Sequence, residues 1–448
     1  MAALGGIGQI NPGKIKELRN RVLFLFGAIT IFRIGSFIPV PGVDPEAVRS
    51  LFERSQGTIL ALFNTFSGGA LGRLSIFALG VIPYISASII MQLMSMAIPS
   101  LMQLRKEGES GRRKLNQYTR YMTVLLALIQ SFGAILSLKN QGISYINPVT
   151  FVFIGTISLV TGTLFLMWLG EQVTERGMGN GISMLIFAGI VAGIPPSLGI
   201  MLEQVGSGEL SLITAGGVLV ISFGLIAVVV FMERAQRRIP IHYAKRANMR
   251  SNYAHQQIHL PLKLNMAGVI PPMFASSIIL FPATLLSWMG EERNSPMLQS
   301  LISALSPGQP LYYLLYSILI LFFAYFYTAL VFDTRDSSDN LKKSGAFIPG
   351  IRPGEFTARY LDRIITRLTC IGSAYLIFVC LFPEVFIISQ GLPFHLGGTS
   401  ILIVVVVVLE FMNQIQSIIM TSQYENLLRK QDATKSNMKK TRSRMKPM

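Results

Sequence analysis

Residues that commonly carry enzymatic chemistry are sparse in this sequence, and their spacing does not favour a catalytic site. The sequence contains neither G-x-S-x-G, which presents a nucleophilic serine, nor the zinc-binding pattern H-E-x-x-H. His255 and His259 are four residues apart, but no acidic residue or cysteine lies near them to complete a metal site, so we interpret them as polar loop residues. The sequence therefore predicts no catalytic residue, no metal site and no cofactor.

The glycine-rich stretch GMGNG, residues 177–181, is only superficially similar to a phosphate-binding loop. Such a loop follows a strand and ends in Lys followed by Ser or Thr, and both features are missing here. We interpret this stretch as the start of a helix. Any work done by the protein must then draw its energy from outside the chain.

Ionisable residues inside apolar segments are candidates for function because burying them is costly. All six aspartates lie outside the apolar segments, which argues against an intramembrane aspartyl protease. Arg33, Glu384 and Glu410 lie within apolar segments, and we expect each to be close enough to an end to reach water. An ion-coupled transporter would normally carry more charge near the middle of the membrane.

The elements that must position any site are membrane spans. Of 448 residues, 51% are hydrophobic and only 14% are charged, whereas soluble proteins contain about 25% charged residues. Apolar blocks of about 20 residues are long enough to cross a bilayer as helices. Ten such spans are predicted: 22–38, 74–98, 121–138, 151–170, 181–202, 210–232, 265–290, 311–332, 368–389 and 399–420.

The basic residues are distributed unevenly between the two sides that ten spans define. The side that holds both termini contains 33 of the 39 lysines and arginines. Because basic loops stay on the cytoplasmic side, both termini are predicted to be cytoplasmic. The net charge of +17 suits an anionic membrane surface or nucleic acid.

Two cytoplasmic loops, 233–264 and 333–367, are long and basic. One interpretation is that this charge does no more than fix the topology and bind anionic lipid. The loops exceed what topology needs, so we predict a large acidic or nucleic-acid-containing partner. Glycine and proline in KKSGAFIPGIRPGE, residues 342–355, predict an irregular protruding loop. Residues 429–448 are predicted to form a disordered basic tail.

Several long motifs give the sequence a strong resemblance to the SecY family, the central subunits of the bacterial protein-conducting channel. They are GGALGRLSIFALGVIPYISASIIMQL, KEGESGRRKLNQYTRY, WLGEQVTERGMGNGISMLIFAGIVAG, LPLKLNMAGVIPPMFASSIILFP, DNLKKSGAFIPGIRPGE and GGTSILIVVVVV. The resemblance extends from about residue 14 to residue 428. It implies an all-α integral membrane protein of ten transmembrane helices, in two pseudo-symmetric, inverted five-helix halves, 1–202 and 203–428, followed by the tail 429–448.

The resemblance also implies a re-entrant half-helix at about 61–72 that plugs the channel. Its assigned residues are Thr65, Phe66, Ser67, Gly68, Gly69, Ala70, Leu71 and Gly72. Re-entrant backbone is tolerated where protein or water surrounds it, although the glycines could instead form only a flexible hinge. The implied pore ring is apolar: Val81, Ile85, Ile182, Ile186, Met273 and Ile403. The family usually has isoleucine at these positions, so Val81 and Met273 depart from it.

By the same resemblance, Ser86 and Asn265 are expected to be hydrogen-bonded at a lateral gate, and Arg352 to engage a cytoplasmic partner together with Lys245, Arg246 and Arg250. The implied partners are SecE, SecG, the SecA ATPase, the translating ribosome, preproteins with signal sequences and anionic lipids. The implied location is the bacterial inner membrane.

The function implied is translocation of unfolded polypeptides across the membrane and lateral release of apolar segments into lipid, without enzymatic activity. Two alternatives remain open from the residues. An ion-coupled secondary transporter with inverted repeats would also have many spans, and a passive assembly scaffold would show no conductance on displacement of the plug.

Overall fold

The described part of the chain contains ten helices of sixteen residues or more, and they overlap the ten predicted spans in the same order. The computed structural model describes residues 12–44, 46–48, 50, 64, 67–140, 144–243, 258–288, 304, 308–389 and 397–444. The long helices are α1 (Pro12–Gly35), α2 (Ile82–Ala97), α4 (Glu109–Asn140), α5 (Pro148–Arg176), α6 (Gly181–Ser207), α7 (Leu212–Arg234), α8 (Ile270–Trp288), α9 (Pro310–Val331), α11 (Glu355–Ser389) and α12 (Gly398–Arg444). Two shorter helices are α3 (Pro99–Lys106) and α10 (Thr334–Lys343).

Length and apolar composition identify the membrane-spanning helices. Seven helices in the described residues are long and apolar enough to cross a membrane, or eight if the bent pair α2 and α3 counts as one span. The helix α1 carries several charged residues in its first half, and α8 has a shorter described apolar part, Ile270–Ile279. Each of the ten predicted spans nevertheless overlaps one of the ten long helices.

The second span begins later than the sequence predicts. Residues 74–80 form turns apart from Ser75, which makes an isolated antiparallel bridge with Pro39. Leu74 has a φ of 44° and Gly80 of 58°, and α2 starts only at Ile82. Pro83 in the first turn favours this start, because its missing N–H has no helical partner there in any case. At the other end, Ile98 is extended before Pro99, and α2 and α3 meet at 99°.

The two long loops that are predicted to be cytoplasmic contain regular structure that the sequence analysis did not predict. Strands β1 (Gln236–Tyr243), β2 (Ile258–Lys263) and β3 (Ala346–Phe347) form an antiparallel sheet in the order β2-β1-β3. Alternate residues Ile239, Ile241 and Leu262 are buried, as the period of a strand requires. His259 lies on β2 rather than in a loop, and His255 lies outside the described residues.

Two further helices extend beyond their predicted spans. The helix α11 begins at Glu355, within the predicted loop 333–367, because its first turns bury Leu361, Ile364 and Ile365 beneath the sheet. The helix α12 continues to Arg444, so the prediction of a disordered tail over 429–448 is wrong as far as that residue. The described part of the chain is therefore mainly helical, with one small sheet.

The long helices pack around one main apolar core. The helix contacts define two groups. In the first group α2 packs against α4, α4 against α5, and α5 against α6. In the second group α8 packs against α9, α9 against α11, and α11 against α12. The groups meet along two seams. In the first seam α8 packs against α2 and α4, and in the second seam α12 packs against α6 and α1.

Candidate functional site

The six residues assigned to the pore ring by resemblance belong to a single apolar cluster. Ile403 is 1% exposed, Ile186 3% and Val81 7%, and the half-buried Ile85, Ile182 and Met273 pack against the same cluster. Val81 immediately precedes α2, and the other five residues lie on α2, α6, α8 and α12. Helices from both sides of the two seams therefore contribute apolar side chains to one place.

The residues on α6 are positioned by the glycine-rich stretch that precedes it. The Asn180 Oδ1 atom accepts a hydrogen bond from the Ile182 backbone N–H (3.1 Å), so Asn180 caps the helix. This confirms the interpretation of residues 177–181 as the start of a helix. Ile186 follows Ile182 by about one turn and is nearly inaccessible to solvent.

Ile182 also lies close to α5. A Cβ atom placed on Gly170 would lie 2.4 Å from the Ile182 Cδ1 atom, so this side chain fills the space left by that glycine on α5. The contact ties Ile182 to a helix in its own group. Ile186 is therefore the α6 residue that lies deeper in the shared cluster.

Ile403 owes its position to a close crossing of two helices. A Cβ atom on Gly398, the first residue of α12, would lie 1.9 Å from the Val379 carbonyl oxygen of α11. Only glycine allows backbones to approach this closely. The crossing fixes the first turns of α12 and with them the direction in which Ile403 projects.

The segment before α2 forms a compact set of turns. The Asn64 Oδ1 atom accepts from the Gly72 N–H (2.7 Å), and the Ser67 Oγ atom accepts from the Leu71 N–H (3.1 Å). Gly68 and Gly69 have φ angles of 67° and 83°. The described residues 67–72 are thus turns rather than the expected half-helix, because two consecutive glycines with left-handed φ interrupt helical hydrogen bonding. Thr65 and Phe66 lie outside the described residues.

This segment docks directly on the apolar cluster. Ala70 is completely buried and belongs to the same cluster as Val81, Ile186 and Ile403. A Cβ atom on Gly68 would lie 2.8 Å from the Gly189 Cα atom of α6. The segment therefore rests against α6 one turn beyond Ile186.

Arg33 also holds the segment in place. Its Nη1 atom donates to the Gly68 carbonyl oxygen (3.1 Å), a charge-assisted hydrogen bond. Its guanidinium carbon also lies 5.4 Å from the centre of the Phe37 ring, and that of Arg73 lies 4.1 Å from the same ring. The sequence identified Arg33 as a candidate functional residue because it is charged within a span, but it did not predict the hydrogen bond to Gly68. Gly189 was missed altogether, since its only signal was a small residue in an apolar helix.

The predicted gate residues, Ser86 on α2 and Asn265 just before α8, do not bond as expected. The Asn265 Nδ2 atom donates to Glu233 Oε1 (2.6 Å) and to the Gly268 carbonyl oxygen (3.2 Å), and its Oδ1 atom accepts from the Gly268 N–H. Both amide donors are thus engaged by α7 and by the turn that precedes α8. The expected bond from Asn265 to Ser86 is replaced by a local cap before α8, because the turn at Gly268 offers closer partners.

The other intramembrane carboxylates differ in their surroundings. Glu384 is half-buried on α11, and its Oε1 atom is shielded from solvent without a hydrogen-bond partner in the described residues. The expectation that Glu384 reaches water at a span end is therefore wrong for this atom. Glu410 is exposed, in agreement with the expectation.

Arg352 occupies a fixed loop with its side chain exposed. The Thr357 hydroxyl donates to the Arg352 carbonyl oxygen (3.0 Å), and the Ser338 hydroxyl donates to the Gly354 carbonyl oxygen (2.6 Å). The loop therefore presents the guanidinium on a stable backbone. Lys245, Arg246 and Arg250 lie outside the described residues.

Comparisons with known proteins agree on one family. The SecY family model matches residues 75–412. The protein translocase subunit SecY of Pseudomonas aeruginosa is 55% identical over 430 residues, covering 96% of this chain and 97% of that protein.

Two solved structures share the fold. One is described as "The plug domain of the SecY protein stablizes the closed state of the translocation channel and maintains a membrane seal"; it has a TM-score of 0.68 at 19% identity and covers 90% of this chain and 93% of that chain. The other is Sec61 in the canine ribosome–channel complex from the endoplasmic reticulum, with a TM-score of 0.64, 19% identity and the same coverage.

Proposed function

This chain belongs to the SecY family, and we propose that it is the pore subunit of a protein translocase, which moves unfolded polypeptides across the membrane and releases apolar segments sideways into lipid. It is a multi-pass protein of the bacterial inner membrane. The observation that carries the proposal is the single buried cluster shared by the ring residues and Ala70 of the docked segment.

An apolar ring suits a polypeptide conduit for two physical reasons. A narrow apolar constriction excludes water when it is empty, which resists the passage of ions. The same side chains offer a passing chain no polar group to bind. Val81, Ile85, Ile186, Met273 and Ile403 are the residues that would form this constriction, with Ile182 at its edge.

The turns at residues 67–72 would act as the plug. They would block the ring with Ala70, which belongs to the same apolar cluster, while Gly68 lies against Gly189. The Arg33 hydrogen bond to Gly68 would have to break when the plug moves. Bonds to a charged group contribute about 1.5–3 kcal/mol, which a bound signal sequence can offset.

The lateral exit would lie at the first seam. Separation of α8 from α2 and α4 would open a path from the ring into lipid, with residues 1–202 and 203–428 moving as the two halves. Ser86 and Asn265 would border this exit. The Asn265 bonds to Glu233 and Gly268 would keep the start of α8 with its own half as the seam opens.

The proposed partners are two small subunits and a component that supplies the energy for transport. SecE and SecG would complete the complex in anionic lipid, and SecA or the translating ribosome would deliver preproteins and drive transport. The chain itself would not be an enzyme. Reconstitution with SecE, followed by translocation of a preprotein with and without SecA and ATP, tests this function. Uptake of small solutes without passage of polypeptide would instead support a secondary transporter.

We expect Arg352→Glu to impair translocation by about tenfold while leaving insertion of the channel intact. The arginine fork can clamp a carboxylate or a phosphate of a cytoplasmic partner, and reversing its charge removes that contact and adds repulsion. The readout is SecA-dependent transport by reconstituted channels at equal abundance.

The matched control is Lys343→Glu, an equally exposed charge reversal at the end of α10. It should reduce transport much less. An equal loss of transport in both variants would mean that only the net charge of the loop matters. Normal transport by Arg352→Glu would show that Arg352 does not engage a partner.

The orientation can be tested with single cysteines in a chain whose Cys370 and Cys380 have been replaced. Ser344→Cys and Ser436→Cys should react with an impermeant thiol reagent only after the membrane is opened, because the positive charge keeps their segments cytoplasmic. Ser207→Cys, exposed near the end of α6, should react in intact cells. Reaction of Ser344→Cys from outside would reverse the orientation.

A further inference from the structure

Two hydrogen bonds join the halves 1–202 and 203–428 in the part of the chain that the structure describes. The Gly179 N–H donates to the Gln414 Oε1 atom of α12 (2.6 Å), beside the second seam. The Arg105 Nη2 atom donates to the Leu330 carbonyl oxygen (2.8 Å), beside the first seam. Because the first seam is the one that must open for lateral release, the Arg105 bond spans the moving boundary.

Leu330 lies at the end of a helix that needs such a donor. It is the penultimate residue of α9, and the last four carbonyl groups of a helix have no N–H partner within it. The helix C-terminus also carries partial negative charge, which a cation stabilises. Arg105 thus caps a helix of one half from the other half.

The bend between α2 and α3 brings Arg105 to this position. The two helices meet at 99°, so α3 leaves the direction of α2, and Arg105 lies in its last turn. The side chain is exposed, as is that of the neighbouring Lys106, which forms no hydrogen bond with α9 among the described residues. The contact is therefore specific to one of two adjacent basic residues.

We propose that Arg105 is a positioning residue that clasps the first seam shut at its cytoplasmic end and must release α9 when the halves separate. The proposal rests on the proposed function, since it assigns a role to the seam in that function. The exposed bond is weak enough to break during each opening, yet it biases the resting channel toward the closed arrangement. Its loss should favour the open arrangement by about twofold to fivefold.

The test compares Arg105→Gln with Lys106→Gln in the full chain assembled with SecE. Both variants remove one positive charge from the same loop, so any effect on topology is shared. Spin labels at Gln103→Cys and Val331→Cys, two exposed positions that flank the seam, report its width after replacement of the native cysteines. Export of a reporter with a weakened signal sequence, normalised to channel abundance, reports opening.

Arg105→Gln should widen the label distance distribution and raise weak-signal export about twofold to fivefold, whereas Lys106→Gln should change neither. Arg105→Lys keeps the charge and one donor and should give intermediate values, which provides a second test if the glutamine variant is poorly made. Identical distances and export in the Arg105 and Lys106 variants would overturn the clasp. Wild-type channels that transport no preprotein at all would instead overturn the proposed function.

Discussion

Channels carrying Ile403→Asn should export cargo with a weakened signal sequence better than the wild type and should leak ions at rest. Ile403 is 1% exposed in the shared cluster, so the substitution places an amide in a ring that otherwise cannot hold water. An amide in an apolar site costs about 1–3 kcal/mol if it is unpaired, and hydration relieves that cost when the ring opens. At a factor of ten for every 1.4 kcal/mol, the open arrangement should gain by roughly fivefold to a hundredfold.

Leu402→Asn is the matched control for this prediction. Leu402 is 0% exposed, belongs to the same cluster, and points about 100° around α12 from Ile403. It should lower the amount of folded channel without helping weak signals. Export of a signal-defective reporter, normalised to abundance, and single-channel conductance separate the outcomes. If both variants only lose abundance, Ile403 fills a helix core and the assignment of the ring is wrong.

Gly68→Ala should displace the plug and raise the resting ion leak. Its Cβ atom would lie 2.8 Å from the Gly189 Cα atom, a backbone atom that cannot move aside without shifting α6. The substitution also places alanine at a φ of 67°, which costs about 1 kcal/mol. The plug should therefore leave its seat while the helices that form the channel remain folded.

Gly69→Ala separates the clash from the backbone strain. Gly69 has a similar φ of 83°, but a Cβ atom there meets nothing within 4 Å. It should share the strain and produce much less leak. Conductance of purified channels in planar bilayers is the measurement, with crosslinking of residue 70 to α6 as a readout of plug position. Equal leak in the two variants would show that packing on Gly189 does not seat the plug.

The sequence predicts the helices well because their main determinant is local. Lipid requires each spanning segment to satisfy its own backbone hydrogen bonds, so an apolar stretch of the right length becomes a helix whatever its neighbours are. Each of the ten predicted spans overlaps a helix for that reason. The start of α6 at Gly181 was equally predictable, because the Asn180 side chain accepts a hydrogen bond from the Ile182 N–H only two residues away.

The prediction failed where a choice between local structures depends on distant partners. The strands β1 and β2 carry the required alternation, but their burial needs Leu361 and Ile364 from α11, roughly a hundred residues further along the chain. The segment at 67–72 became turns rather than a half-helix because Asn64, Arg33 and α6 hold it in that shape.

The sequence by itself determined the class of protein, the order of its membrane helices and the apolar character of the proposed ring, because composition and periodicity act along the chain. Only the tertiary structure decided which side chains meet across it. Asn265 bonds to Glu233 rather than to Ser86, Arg33 holds Gly68, and Arg105 of α3 caps α9. Such pairs are set by how helices cross in three dimensions, and the residues in each pair can be hundreds of positions apart.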